Sequence, residues 1–246
     1  MSASQRASTA RSWQHHLCGL IWGKNQLSEL PAEIWRLTAL KRLELRDNQL
    51  TKVPSAVGNL SFLNWLDISG NQLSELPSEI GKLKVLRDCS LNENQLRALP
   101  PEIGKLKALR ELHLSENQLR ALPSAIGDLR ILQVLELDRN QLSELPPEIG
   151  KLFRLTEIDL ARNQISRLPS EVGKLTILQR LQLEMNQLRE LPVEVGKLTA
   201  LKGLFLSKNQ LRTLPPESGN LSSLRQLWLD DNKLTALPPE VGDLRF

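Results

Sequence analysis

The stretch Leu109–Ile131, LRELHLSENQLRALPSAIGDLRI, contains in 23 residues the pattern that the rest of the chain repeats. Leucine stands at 109, 112, 114, 119, 122 and 129, with Ile126 among them. Leu112-His113-Leu114 alternates apolar, polar and apolar, the two-residue period of a half-buried strand. Asn117 follows where the chain must leave that strand. An inward-turned amide side chain there can bond the backbone groups that turning orphans. Pro123 then excludes further strand pairing on the return side, and Gly127 permits the tight backbone of a short coil. With so few residues per unit, the spacing predicts short 3-10 or irregular turns on the return side and no long helix.

Outward from this stretch the same register holds everywhere. The asparagine recurs at 25, 48, 71, 94, 117, 140, 163, 186, 209 and 232, always 23 residues apart. Six residues after each stands a proline, and all 14 prolines occupy that position or the next. Ten residues after each stands glycine, except in the first unit, which has Trp35. No unit can bury its own leucines, so the units must stack into one continuous leucine core whose stability is nearest-neighbour.

The pattern LxxLxLxxNxL, as in LRELHLSENQL (Leu109–Leu119) and LQVLELDRNQL (Leu132–Leu142), resembles the leucine-rich repeat. The return segment LPPEIGKL, at Leu99–Leu106 and Leu145–Leu152, is similar to one 23-residue subclass, LPxEIGxL. That subclass is found in Ras-pathway scaffold proteins, plant intracellular Ras-group-related proteins, and the repeat arms of bacterial and Roco-type proteins. The resemblance runs from Leu17 to Leu244. It implies an α/β solenoid, a horseshoe of about ten repeats with a parallel concave β-sheet and short 3-10 or irregular convex turns. It also implies that the concave sheet binds another macromolecule, with a small GTPase among the partners such scaffolds suggest. The fold itself specifies no reaction.

Residues 1–16 read as a polar tail or partial cap in which Trp13 covers the open core, and 17–246 as a single repeat domain. At the other end Phe246 arrives without a polar cap. A bare core and strand edge there imply a fragment, a continuation into a longer protein, or end-to-end self-association. Continuation would make the chain the recognition arm of a larger enzyme: a Roco-type GTPase, a kinase or a ligase. Cys89 takes a leucine slot as a small core hydrophobe, and Ser218 stands where other units have Ile or Val.

Composition bounds the function. Apolar residues are 40% and charged residues 24%, with no tyrosine. No stretch approaches the roughly 20 apolar residues of a membrane span, and no signal-peptide cleavage pattern follows LCGLIWG, so no membrane partner is expected. Two cysteines, Cys18 and Cys89, without a paired cap framework point to a reducing, cytoplasmic setting.

Partner recognition falls to strand residues pointing away from the core, six, four, two and one before each asparagine. The central column reads Ile21, Glu44, Asp67, Ser90, His113, Glu136, Asp159, Gln182, Phe205 and Trp228. Over the four columns there are 14 acidic and 7 basic residues in a chain of net charge +4. The concave face is therefore acidic, and Lys82, Lys105, Lys151, Lys174 and Lys197 predict a basic outer face. Acids concentrate at Asp88, Glu93, Glu111, Glu116, Glu136, Asp138, Glu157, Asp159 and Glu184, beside a basic flanking column from Lys41 to Arg225. Such a face suits a protein with a basic surface and repels nucleic acid. Phe205 and Trp228, side by side with Met185 nearby, predict exposed aromatic anchors. The expected binding set is Phe205, Trp228, Met185, Gln182, Asp159, Glu136, His113, Asp138 and Glu184.

Ser90, His113 and Glu136 fall in one column in the order nucleophile, base, orienter. A smooth ladder offers no oxyanion donors and no pocket, so no enzyme is expected and no cofactor is required. His113 with Glu111 and Glu136 is too sparse a set on an open sheet to predict a metal.

Overall fold

The computed structural model describes residues 17–243. Trp13 and the tail with His15 and His16 lie outside them, as do Leu244 and Phe246. Ten three-residue strands form one sheet: β1 (Gly19–Ile21), β2 (Arg42–Glu44), β3 (Trp65–Asp67), β4 (Asp88–Ser90), β5 (Glu111–His113), β6 (Val134–Glu136), β7 (Glu157–Asp159), β8 (Arg180–Gln182), β9 (Gly203–Phe205) and β10 (Gln226–Trp228). They lie in chain order and every pair is parallel. Register is shifted by 23 at each step, so Ser90 pairs with His113 and His113 with Glu136. Each strand is followed by a five-residue 3-10 helix on the return side, from Ala32–Arg36 to Pro239–Asp243. This is the expected leucine-rich repeat solenoid. Among the described residues, no helix is long and apolar enough to cross a membrane.

One leucine core runs the length of the stack, and most of its members are wholly buried. Cys89 sits in it fully enclosed, and burial pushes its thiol up to about 12. The asparagines form the second continuous feature. Asn117 Nδ2 donates to the carbonyls of Leu91 (2.9 Å), Leu114 (3.1 Å) and Ser115 (3.2 Å), while its Oδ1 accepts from Leu96 N–H (3.0 Å). Each such side chain ties its own turn to the unit before it, and interior copies are 7–8% exposed.

Glycine ten residues after the asparagine serves a different purpose from the one expected. Its φ is unexceptional; what it provides is room. A Cβ on Gly104 would stand 2.4 Å from the Ala125 carbonyl oxygen, and one on Gly150 would stand 2.6 Å from that of Glu171. The positive φ falls instead on the residue just before the asparagine, from Lys24 (56°) to Asp231 (54°), and glycine occupies it only at Gly70. Trp35, lacking glycine's clearance, is buried and lines a partly open apolar cavity of about 240 Å³ with Leu45, Leu50 and Val53.

The return side is not the uniformly basic surface expected from its lysines. Glu79, Glu102, Glu148, Glu171 and Glu194 stand in the first turns of the helices whose last turns hold Lys82, Lys105, Lys151, Lys174 and Lys197. One such pair, Lys105–Glu102, closes at 3.6 Å. Acid and base therefore alternate on that face.

Candidate protein-binding surface

The parallel register sets the outward residues of the sheet side by side, and they divide into three zones. In the first, charges are internally paired. Glu44 is held by Arg42 (3.2 Å) and Arg46 (3.1 Å), and the Arg42 guanidinium also lies 3.3 Å over the Trp65 ring. Asp67 is buried and accepts from Ser69 N–H at 3.0 Å.

The second zone, β4 to β8, carries the acids. His113 Nδ1 lies 2.6 Å from Glu136 Oε2, and its Nε2 lies 3.5 Å from Glu111 Oε2. The hydrogen bond to Glu136 raises the imidazole pKa against the opposing effect of burial, and the same bond lowers that of Glu136. Asp88 is raised by burial and by the neighbouring Glu111. Asp159 is pushed up to about 6, first by burial and then by Asp138, Glu184 and Glu136, against a lowering bond from Ala161 N–H. Gln182 donates its amide to the other oxygen of Asp159. Glu184 is also raised by burial, and its Oε2 is enclosed without a hydrogen-bond partner. Asp138 approaches only Arg139, at 3.9 Å. Among the described residues, Asp159 and Glu184 have no cationic partner within ion-pair distance.

His113 does not complete a hydrolytic relay. Glu136 takes one ring nitrogen and Glu111 faces the other; among the described residues no hydrogen bond joins the ring to the Ser90 hydroxyl. Among the described residues, the trio able to offer ligands to one cation is Asp88, Glu111 and His113, with donor atoms within 4.8 Å of one another. This differs from the Glu111–His113–Glu136 set read in the sequence.

In the third zone the expected pair of exposed aromatics is half right. Trp228 is 50% exposed, but Phe205 is buried at 4%. The Phe205 ring lies back over Gly203, two residues earlier on the same face, where a Cβ would stand 2.7 Å from Phe205 Cε2. Trp228 meets it edge-on, with centroids 4.8 Å apart and planes at 84°, and the Arg180 guanidinium is 5.6 Å from the same ring. Phe205 is thus the platform, and Trp228 the ring that a partner can reach. The signal was Gly203, whose missing side chain leaves the space an adjacent ring fills. Met185 is 40% exposed on a positive-φ turn residue, at the sheet's rim.

The sequence matches the model of the leucine-rich repeat region over residues 24–114, 85–159 and 147–245. No curated protein matches it. Among solved structures it is similar to a leucine-rich repeat protein of Leptospira interrogans, at 37% identity and a TM-score of 0.90 over 96% of this chain and 60% of that one. It is similar to a TDR receptor at 30% identity and 0.80, over 88% of this chain and 39% of that one. The plant peptide hormone receptor RGFR1, solved in complex with RGF2, follows at 30% and 0.76, over 93% and 43%. The chain thus spans less than two thirds of the length of each. Repeat motif, ladder, register and family match agree, and the chain belongs to the leucine-rich repeat family.

Proposed function

We propose that the chain is a non-enzymatic, cytoplasmic interaction module that holds a protein partner on its concave sheet. The partner presents a basic surface to β4–β8 and an apolar contact to Trp228. The observation that carries this reading is the row of half-buried carboxylates at Asp138, Asp159 and Glu184, to which the chain supplies so little counter-charge. Asp159 and Glu184 are held above the ordinary carboxylate pKa, first by burial; their ionised forms are unfavourable in the free protein and are relieved by an incoming cation, which gives both specificity and steering. The RGFR1–RGF2 complex supports the same use of such a solenoid in holding a polypeptide. Among signalling partners, a small GTPase with a basic face fits the Ras-scaffold resemblance of the LPxEIGxL segments.

The test is quantitative capture from lysate with the wild-type chain and two variants, Trp228→Ala and Asp138→Asn/Asp159→Asn/Glu184→Gln, followed by titration of the captured protein. Each variant is expected to weaken binding by at least about tenfold. The association rate of wild type is expected to fall with added salt. A captured set that is the same for all three chains would overturn the reading.

A further inference from the structure

The positive charge that offsets the acidic sheet is concentrated on one flank. It lies on the segment of each unit that climbs from the 3-10 helix into the strand. The outward positions there are 11, 13, 14 and 16 residues after the asparagine. Across nine units, from Arg36 to Arg225, those positions hold 15 basic residues and one acidic residue, Asp128; the lysines at position 11 form the border with the return face and its glutamates, and positions 13, 14 and 16 hold nine basic residues and no acidic one. Net charge on this flank is therefore more than three times that of the whole chain.

An apolar stripe runs through the charge. At position 14 stand Phe62, Val85, Ile131 and Ile177, with alanine at 39, 108 and 200; Phe153 takes the neighbouring place where Arg154 interrupts. The five large side chains are 38–59% exposed, half of all the large apolar groups that the described residues leave in water. Repetition makes the row continuous. The residues at position 16 start the parallel ladder, with Arg110 N–H donating to Arg87 O at 2.8 Å and Gln133 N–H to Arg110 O at 2.7 Å. Lys84 Nζ reaches the Lys105 carbonyl in the next unit at 3.3 Å, so neighbouring cationic rows are in contact. A line of aliphatic and phenyl groups thus runs between rows of ammonium and guanidinium groups.

We propose that this flank docks the solenoid on an anionic lipid surface. The stripe from Phe62 to Ile177 enters the headgroup layer, and the flanking lysines neutralise headgroup phosphates and carboxylates. An occupant must be anionic along the whole length of the flank and must accept a continuous row of apolar groups; a bilayer leaflet does both. The composition also separates lipid from the alternatives. Nine of the fifteen cations are lysine, the residue that protein interface cores exclude and that snorkels at membrane surfaces. Single-stranded nucleic acid would call for stacking rings, where the stripe offers only Phe62 and Phe153, and a duplex would set the exposed apolar row against phosphate. Membrane contact here leaves the concave sheet free, so the module could hold its partner at a membrane without crossing it.

The experiment is flotation with vesicles of phosphatidylcholine alone and with about one third phosphatidylserine. Wild type is expected to float only with the anionic vesicles and to be released by about 0.5 M salt. Two surface variants, Phe62→Ser/Phe153→Ser and Lys151→Glu/Arg154→Glu/Lys174→Glu, are expected to lose at least about tenfold in partitioning while unfolding as wild type does. Trp228→Ala is expected to float normally, which keeps this test separate from that of the concave site. Equal flotation with neutral vesicles, variants that float like wild type, or capture of RNA or an acidic protein by this flank without vesicle binding would each overturn the proposal.

Discussion

The asparagine rung shows how much one side chain can hold. Asn117→Ala would strip a buried turn of four hydrogen bonds, leave the Leu96 N–H without its acceptor among leucines, and reduce the carbonyls of Leu91 and Leu114 to one amide donor each, from Asn94 and Asn140. Destabilisation of about 3 kcal/mol or more is expected in denaturant unfolding, against under about 1 kcal/mol for the exposed end copy, Asn25→Ala. His113 gives a pH-dependent case. Its folded pKa is raised above 6.5 and that of Glu136 is lowered below 4.5. The Glu136 contribution is lost as pH falls through its lowered value, and the His113 contribution as pH rises through its raised one. The penalty of His113→Gln in unfolding experiments should therefore be largest near pH 5.5 and shrink by pH 9. Rung and core were legible in the sequence because each recurs in one environment ten times. The burial of Phe205 was not, because it depends on a single neighbour, Gly203, that no repeat pattern flags.

At the level of the element, the repeat was legible as strand, turn and 3-10 return, but the reason for its glycine was not. Sequence spacing shows where glycine falls; only the stacked backbone shows what it avoids. Gly150→Ala sets a methyl group 2.6 Å from the Glu171 carbonyl oxygen and 2.8 Å from its Cβ, in a turn packed between two others. Overpacking should cost about 1–3 kcal/mol. Gly242→Ala, with nothing within 4 Å of the added Cβ, should change stability little. The helix Pro216–Asn220 carries the opposite defect. Ser218 is 2% exposed and its hydroxyl has no partner, in a slot other units fill with Ile or Val. Ser218→Val should raise stability by about 1 kcal/mol, read as a higher unfolding midpoint.

Across the whole molecule the repeat makes a field. Every column is a row of like positions, so substitutions harmless in one unit accumulate into an acidic sheet and a basic flank. The sequence showed the charge imbalance and the lysines of the return side, but not the excess on the flank, because the glutamates beside those lysines were not weighed. Asp159 lies where the acidic row is most crowded, and its folded pKa of about 6 stands above the ordinary 3.8. The sign follows from that order. Between those values the folded chain keeps a proton the unfolded chain has lost, so the carboxyl favours folding at low pH and that advantage disappears as pH rises through about 6. Asp159→Asn should therefore be more stable than wild type at pH 7.5 and indistinguishable from it near pH 3.5, by thermal unfolding at both. A basic partner needs the ionised form and draws the pKa back down, so wild type should bind it more weakly at pH 5 than at pH 7.5 and release a proton on binding between. Asp159→Asn should lose both the pH dependence and part of the affinity. A variant that gains stability at neutral pH yet binds the partner as tightly as wild type would show that the strained carboxylate serves something other than recognition.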